Sequence, residues 1–150
     1  MPAHTAFASG RQNRSCPPAT VIPVLYYPDV HAAAAWLCRA FGFTERLRIF
    51  NHRIQMNVGE GSLVVADGPG VPPADDAISV SIMVRVADVD EHCATAVRGG
   101  AVVLTPLATH MFGERQYTVK DFAGHKWTFS QTVEDVDPAA WGGEMMNTQA

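Results

Sequence analysis

The chain has 150 residues, enough for one ordinary domain and too few for two independent cores of normal size. Hydrophobic residues make up 47% of it and charged residues 17%, a balance that excludes both a disordered polyampholyte and a membrane-buried chain. Its formal charge of -4 supplies no positive field for a phosphate backbone, so neither nucleic acid nor an anionic membrane is an expected partner.

Residues 1–19 hold no apolar run of secretory type and are expected to form a flexible leader. Ordered structure is predicted from about Val21, where VIPVLYY has the length and composition of a strand. Asp29 then caps a helix through HAAAAWLCRAF, and Gly42 ends it, because a residue without Cβ takes the left-handed conformation at little cost. Three strands follow, from Glu45, His52 and Ser62; the second alternates, with Ile54, Met56 and Val58 on one face and Arg53, Gln55 and Asn57 on the other. Residues 68–78 concentrate Gly, Pro and Asp and read as a linker. The order then repeats: the strand SVSIMVRV, a helix capped by Asp88 and ended by Gly99 and Gly100, and three strands in AVVLTPL, around RQYTV and in HKWTFSQT. Residues 135–150 are a C-terminal tail.

This repeat is the most informative feature of the sequence. Asp29 and Gly42 bracket one helix, Asp88 and Gly100 the other, and each helix stands between one apolar strand and three more. The fold class is therefore α+β, with two βαβββ modules at about 20–67 and 79–134 in one domain spanning 20–134.

Cys16, Cys38 and Cys93 show no metal or disulfide spacing and fit a reducing, cytoplasmic setting. No Ser/His/Asp or Cys/His arrangement, P-loop or dinucleotide fingerprint is present. Of the histidines, His4, His31, His92 and His125 read as surface or structural, whereas His52 and His110 flank strands. Alternation puts Ser81, Met83 and Arg85 on one face of their strand, and Thr118 and Thr128 opposite the face of Val119, Trp127 and Phe129. Arg85 needs a partner, either a protein carboxylate or an anionic ligand group. Phe112 and Arg115 fall on the loop before the penultimate strand, where function concentrates; the plainer reading is a glycine turn with a solvated arginine.

The segments YYPDV from Tyr26, AFGF, VRVADVDE from Val84, AVRGGAVV, FGER from Phe112 and DFAGHKWTF from Asp121 resemble the vicinal-oxygen-chelate superfamily of glyoxalase I, extradiol dioxygenases, fosfomycin-resistance enzymes and bleomycin-binding proteins. Phe122 stands where that family usually has proline. The resemblance implies curved sheets with paired modules enclosing a cavity, lined by the face that bears Tyr26, and metal ligands at about Ile22, Val65, Ser81 and Thr128. None of the four is His, Glu or Asp, so no metal and no cofactor is expected. The expected function is binding of a small aromatic or amphipathic organic ligand through Tyr26, His52, Ser81, Met83, Arg85, Phe112, Arg115, Thr118 and Thr128, in a homodimer. The alternative is a lyase, isomerase or dioxygenase-type enzyme of that superfamily; a third reading is an assembly or regulatory module with its cup filled by its own side chains.

Overall fold

The computed structural model of the protein describes residues 11–70 and 80–146. Elements run β1 (Val24–Tyr27), α1 (Val30–Phe41), β2 (Thr44–Ile49), β3 (Arg53–Val58), β4 (Gly61–Asp67), β5 (Ile82–Arg85), α2 (Val89–Arg98), β6 (Val102–Thr109), β7 (Glu114–Lys120) and β8 (Lys126–Thr132), followed by a 3-10 turn at Pro138–Trp141. They form two four-stranded sheets of the same topology, ordered β1-β4-β3-β2 and β5-β8-β7-β6. In each the first strand runs parallel to the last, and the remaining pairs are antiparallel. The repeat read from the sequence is therefore a repeat of architecture, and the class is α+β. β1 begins later than the apolar run implied, at Val24, because Pro23 has no N–H to donate and contributes its carbonyl to Val64 instead.

Both helices start at the expected caps. The Asp29 carboxylate accepts from the Ala32 N–H at 3.0 Å and the Asp88 carboxylate from the Glu91 N–H at 3.1 Å. Gly42 closes α1 with φ 81°. Gly99 serves packing: a Cβ there would stand 2.7 Å from Cβ of Ala40, so only glycine lets α2 end against α1.

The helix-covered faces of both sheets share one core, with Leu25, Tyr27, Ile54, Met56 and Val65 from the first and Tyr117, Val119, Trp127 and Phe129 from the second. Phe41, at the end of α1, crosses between modules, its ring 5.3 Å from Trp127 and 4.8 Å from Phe129. Two polar joints add direction. The buried Asp121 carboxylate accepts from the Tyr27 hydroxyl at 2.7 Å, Trp127 Nε1 at 3.1 Å, and the N–H groups of Ala123 and His125 at 3.0 Å each. His92 on α2 donates from Nε2 to the Phe41 carbonyl at 2.9 Å, leaving Nδ1 to accept from the Tyr117 hydroxyl at 2.5 Å. Burial holds the phenols of Tyr27 and Tyr117 well above their ordinary pKa, so both remain donors.

Residues 11–19, expected as a free leader, lie against the first sheet, held by carbonyl hydrogen bonds that leave no mark in a sequence pattern. Residues 1–10, the linker residues 71–78 and the tail residues 147–150 fall outside the described residues. The tail packs back on the domain, Trp141 meeting Phe112 at 5.2 Å.

Replacing Asp121 by Ala strands four donors and is expected to lower unfolding free energy by about 3–5 kcal/mol. Tyr27→Phe, which removes one donor from the carboxylate, should cost about 1.5–3 kcal/mol; urea denaturation of both variants measures the difference. Burial pushes the His92 imidazole below its ordinary value of 6.5, so folding favours its neutral form. Its stabilisation is complete above about pH 6.5 and is lost as pH falls through the depressed value. The melting temperature is expected to fall below pH 6.5, and to fall less in His92→Gln.

Candidate ligand-binding site

With one face of each sheet spent on the common core, the opposite faces point away from it. On the second sheet, Ile82 and Val84 pack toward the core while Met83 and Arg85 project outward, Met83 being 65% exposed. Strand register sets Met83 beside Thr128 and Thr118, and Arg85 beside Ser130 and Gln116. These rows are hydrogen-bonded across the strands. Thr118 and Thr128 hydroxyls lie 2.8 Å apart; Gln116 Nε2 donates to Ser130 Oγ at 3.1 Å, which donates to Glu114 Oε1 at 2.6 Å. The Glu114 carboxyl is held below its usual range first by hydrogen bonds from Ser130 and Thr132, then by the nearby charge of Arg85. Arg85 itself makes no hydrogen bond or close ion pair among the described residues, so its guanidinium is available.

The structure thus brings together Met83, Arg85, Thr118 and Thr128, with Ser81 exposed just before β5. It adds Glu114, Gln116 and Ser130, which the sequence reading passed over. The signal was there: stepping by two from Thr118 and Thr128 reaches all three.

Other expected residues stand apart. Tyr26 projects from the outward face of the first sheet, half exposed, its carbonyl taken by His125 Nε2 at 2.9 Å. Within one chain that face does not look onto Met83. Arg115 belongs to the helix-covered side with Tyr117 and Val119, where Asp90 on α2 binds it through two nitrogens at 3.1 and 2.9 Å. It is neither a solvated loop residue nor a neighbour of Arg85. Phe112 packs against His110, stacked at 5.1 Å, and Trp141, tilted at 5.2 Å, so its ring already has two aromatic neighbours. His52 is exposed in the β2–β3 turn, 6.2 Å from the ring of Phe50. His31 bonds to the Phe50 carbonyl and the Asn51 side chain, a local structural role.

The positions that resemblance marks for a metal do not assemble a donor set. Val65 faces the core, one residue out of step; its neighbours Val64 and Ala66 hold the outward places opposite Val24 and Tyr26. Among the described residues no three His, Cys, Asp or Glu side chains converge. Two aliphatic side chains and two hydroxyls do not fit a divalent ion, which needs about three charged or imidazole donors.

The first sheet's outward face is roofed. Residues 11–20 lead from β1 across to the far strands: the Ser15 carbonyl accepts from Gln55 Nε2 on β3 at 2.8 Å, and the Arg14 carbonyl from Arg46 Nη2 on β2 at 3.0 Å. β4 lies between these anchors and β1, and its outward Ser62, Val64 and Ala66 are buried. Gln55, on the polar side of the β3 alternation, is buried there.

Comparison with known proteins agrees with this geometry. The family model of the Glyoxalase/Bleomycin resistance protein/Dioxygenase superfamily matches residues 20–129. An uncharacterised protein of Mycobacterium bovis is 32% identical over 108 residues, covering 72% of this chain; the match spans 62% of that protein's length. The crystal structure of TioX from Micromonospora sp. ML1 superposes with a TM-score of 0.62 at 32% identity, over 75% of this chain and 97% of that one. A lactoylglutathione lyase of Agrobacterium tumefaciens shares the fold at 20% identity, with a TM-score of 0.58 over 84% of this chain and 98% of its own. The two repeated βαβββ modules and the match across 20–129 therefore place the chain in the glyoxalase/bleomycin resistance/dioxygenase superfamily.

Proposed function

We propose that the protein binds a small aromatic or amphipathic organic ligand without a metal, on the outward face of the second sheet. The observation that carries this reading is the pairing on β5 of an exposed Met83 with an uncommitted Arg85, beside a ladder of satisfied hydroxyl and amide groups. A thioether offers a polarisable surface to a flat ring. A guanidinium offers a carboxylate or phosphate two parallel donors. The half-buried Thr118 and Thr128 supply weaker polar contacts around them.

The working unit we propose is a homodimer in a reducing, cytoplasmic setting. β5 and β6 are the edges of the second sheet, and they carry the exposed Val80, Met83, Val102, Val103 and Leu104 at or beside them. Open apolar edges call for cover. In such a dimer the Tyr26 face of one copy meets the Met83 face of the other, which encloses a ligand between two faces that a single chain keeps apart. All three cysteines are unpaired, consistent with that compartment. No helix among the described residues is long and apolar enough to cross a membrane.

A thermal-shift screen of aromatic carboxylates and their neutral analogues, followed by calorimetry, tests the binding face. Arg85→Gln is expected to weaken an acidic ligand about tenfold or more and to spare neutral ones, since a charge-assisted bond contributes roughly 1.5–3 kcal/mol. Met83→Ala should weaken both classes several-fold. Equal affinity of parent and both variants for a confirmed ligand would remove this face from consideration. Sedimentation at micromolar concentration should show a dimer; a monomer alone would refute the shared cup.

A further inference from the structure

The outward face of the second sheet carries a charge pattern that the pairing of Met83 with Arg85 does not use. β7 and β8 set Lys120 directly opposite Lys126. Val119 and Trp127, their neighbours along the two strands, are fully buried in the core, so alternation turns both lysines to the outward face, where each is half-buried. The adjoining Asp121 N–H donates to the His125 carbonyl at 2.9 Å, which makes the lysine row a non-hydrogen-bonded pair, the kind in which facing side chains stand closer. Like charges placed opposite one another in this way destabilise a sheet.

No carboxylate among the described residues answers them. Asp121, next to Lys120, points into the core, where Tyr27, Trp127 and two N–H groups of its own turn fill its oxygens. Neither lysine makes a side-chain hydrogen bond or ion pair among the described residues. The acidic Glu134 and Asp135 leave the sheet from its other end, where the Val133 N–H bonds to the Gly113 carbonyl. Strand register orders the face in rows: Lys120 and Lys126, then Met83, Thr118 and Thr128, then Arg85, Gln116 and Ser130, with Glu114 beyond. From Lys126 to Ser130, the partner of Arg85, is about 13 Å along β8. Lys120, Lys126 and Arg85 outnumber the single carboxylate of Glu114, which is already hydrogen-bonded by Ser130 and Thr132. The face is therefore positive on a chain whose net charge is -4, with its cations at two separate ends.

We propose that the lysine row is a second anion anchor of this face, and that its ligand is an elongated diacid with an apolar or aromatic middle. One acidic group lies between the Lys120 and Lys126 ammonium groups, which donate to it and lose their mutual repulsion; the other meets the Arg85 guanidinium, and the middle lies on Met83. The inference rests on the reading of this face as the ligand site and adds to it a ligand class and a length.

The experiment is calorimetric titration of the full chain at low ionic strength with the para,para′-dicarboxylate of biphenyl and with its para-monocarboxylate. The diacid is expected to bind at one equivalent per chain, about tenfold or more tighter than the monoacid, with the difference shrinking as salt is added. Lys120→Gln and Lys126→Gln together should abolish that difference, and each alone should remove part of it. Arg39→Gln, which deletes an exposed cation on α1, should leave it intact. A diacid that binds no tighter than the monoacid overturns the proposal, as does a difference that survives in the double variant. Monoacid binding that still weakens in Met83→Ala then leaves the Met83 face standing as the ligand site. Failure of both probes to bind at millimolar concentration removes the face and the lysine anchor together.

Discussion

The arrangement of this molecule depends on one buried carboxylate. Asp121 lies in the turn between β7 and β8, out of reach of water, and four donors converge on its two oxygens. A charge in such a place persists only when its lone pairs are met. Two donors come from the turn itself and shape it, one comes from Trp127 at the start of β8, and the fourth, the Tyr27 hydroxyl, comes from the other module. Apolar packing alone brings two sheets together without fixing how they are turned. The Tyr27–Asp121 bond, with the His92 link between the end of α1 and β7, supplies that orientation.

Once the modules are joined in this way, the options for function narrow. The helix-covered faces are consumed by the shared core, so any ligand must meet an outward face. The two outward faces have different fates in the same topology. On the first sheet, β4 is buried on both sides and an N-terminal segment is anchored to the strands beyond it, β3 and β2; on the second, the outward positions carry threonine, serine, glutamine, glutamate and the lysines Lys120 and Lys126, with Arg85 and the exposed Met83 on β5. Sequence divergence between two copies of one architecture has thus separated a roofed sheet from an open one.

Much of this was legible in the residues. The caps at Asp29 and Asp88, the glycines after each helix and the period-two strands gave the modules, and alternation alone put Met83, Arg85, Thr118 and Thr128 on one face. Arg115 shows where attention to a loop overrode a rule already in use: it shares parity with Val119, assigned to the core side, and had to point the same way. Val65 failed for the opposite reason, because β4 is buried on both faces and offers no alternation from which to read register. The N-terminal segment was invisible in kind. It is held by backbone carbonyls and a turn, and neither depends on a repeating pattern of side chains. The ring contact between Phe112 and Trp141 likewise joins residues far apart in sequence and leaves no periodic trace.

Tyr26 and Tyr27 are neighbours on β1, and alternation sends one ring outward and the other into the joint at Asp121. The backbone between them is held too: the Tyr26 carbonyl is bonded to His125 and the Tyr27 carbonyl to the Gly68 N–H. β1 is therefore a stiff anvil at the boundary of the two modules. A molecule pressed against the Tyr26 ring meets a surface already in its final place, with little motion left to freeze. In the proposed dimer, adjustment to ligand shape would therefore fall to other parts of the surface, and β1 would act as a fixed template.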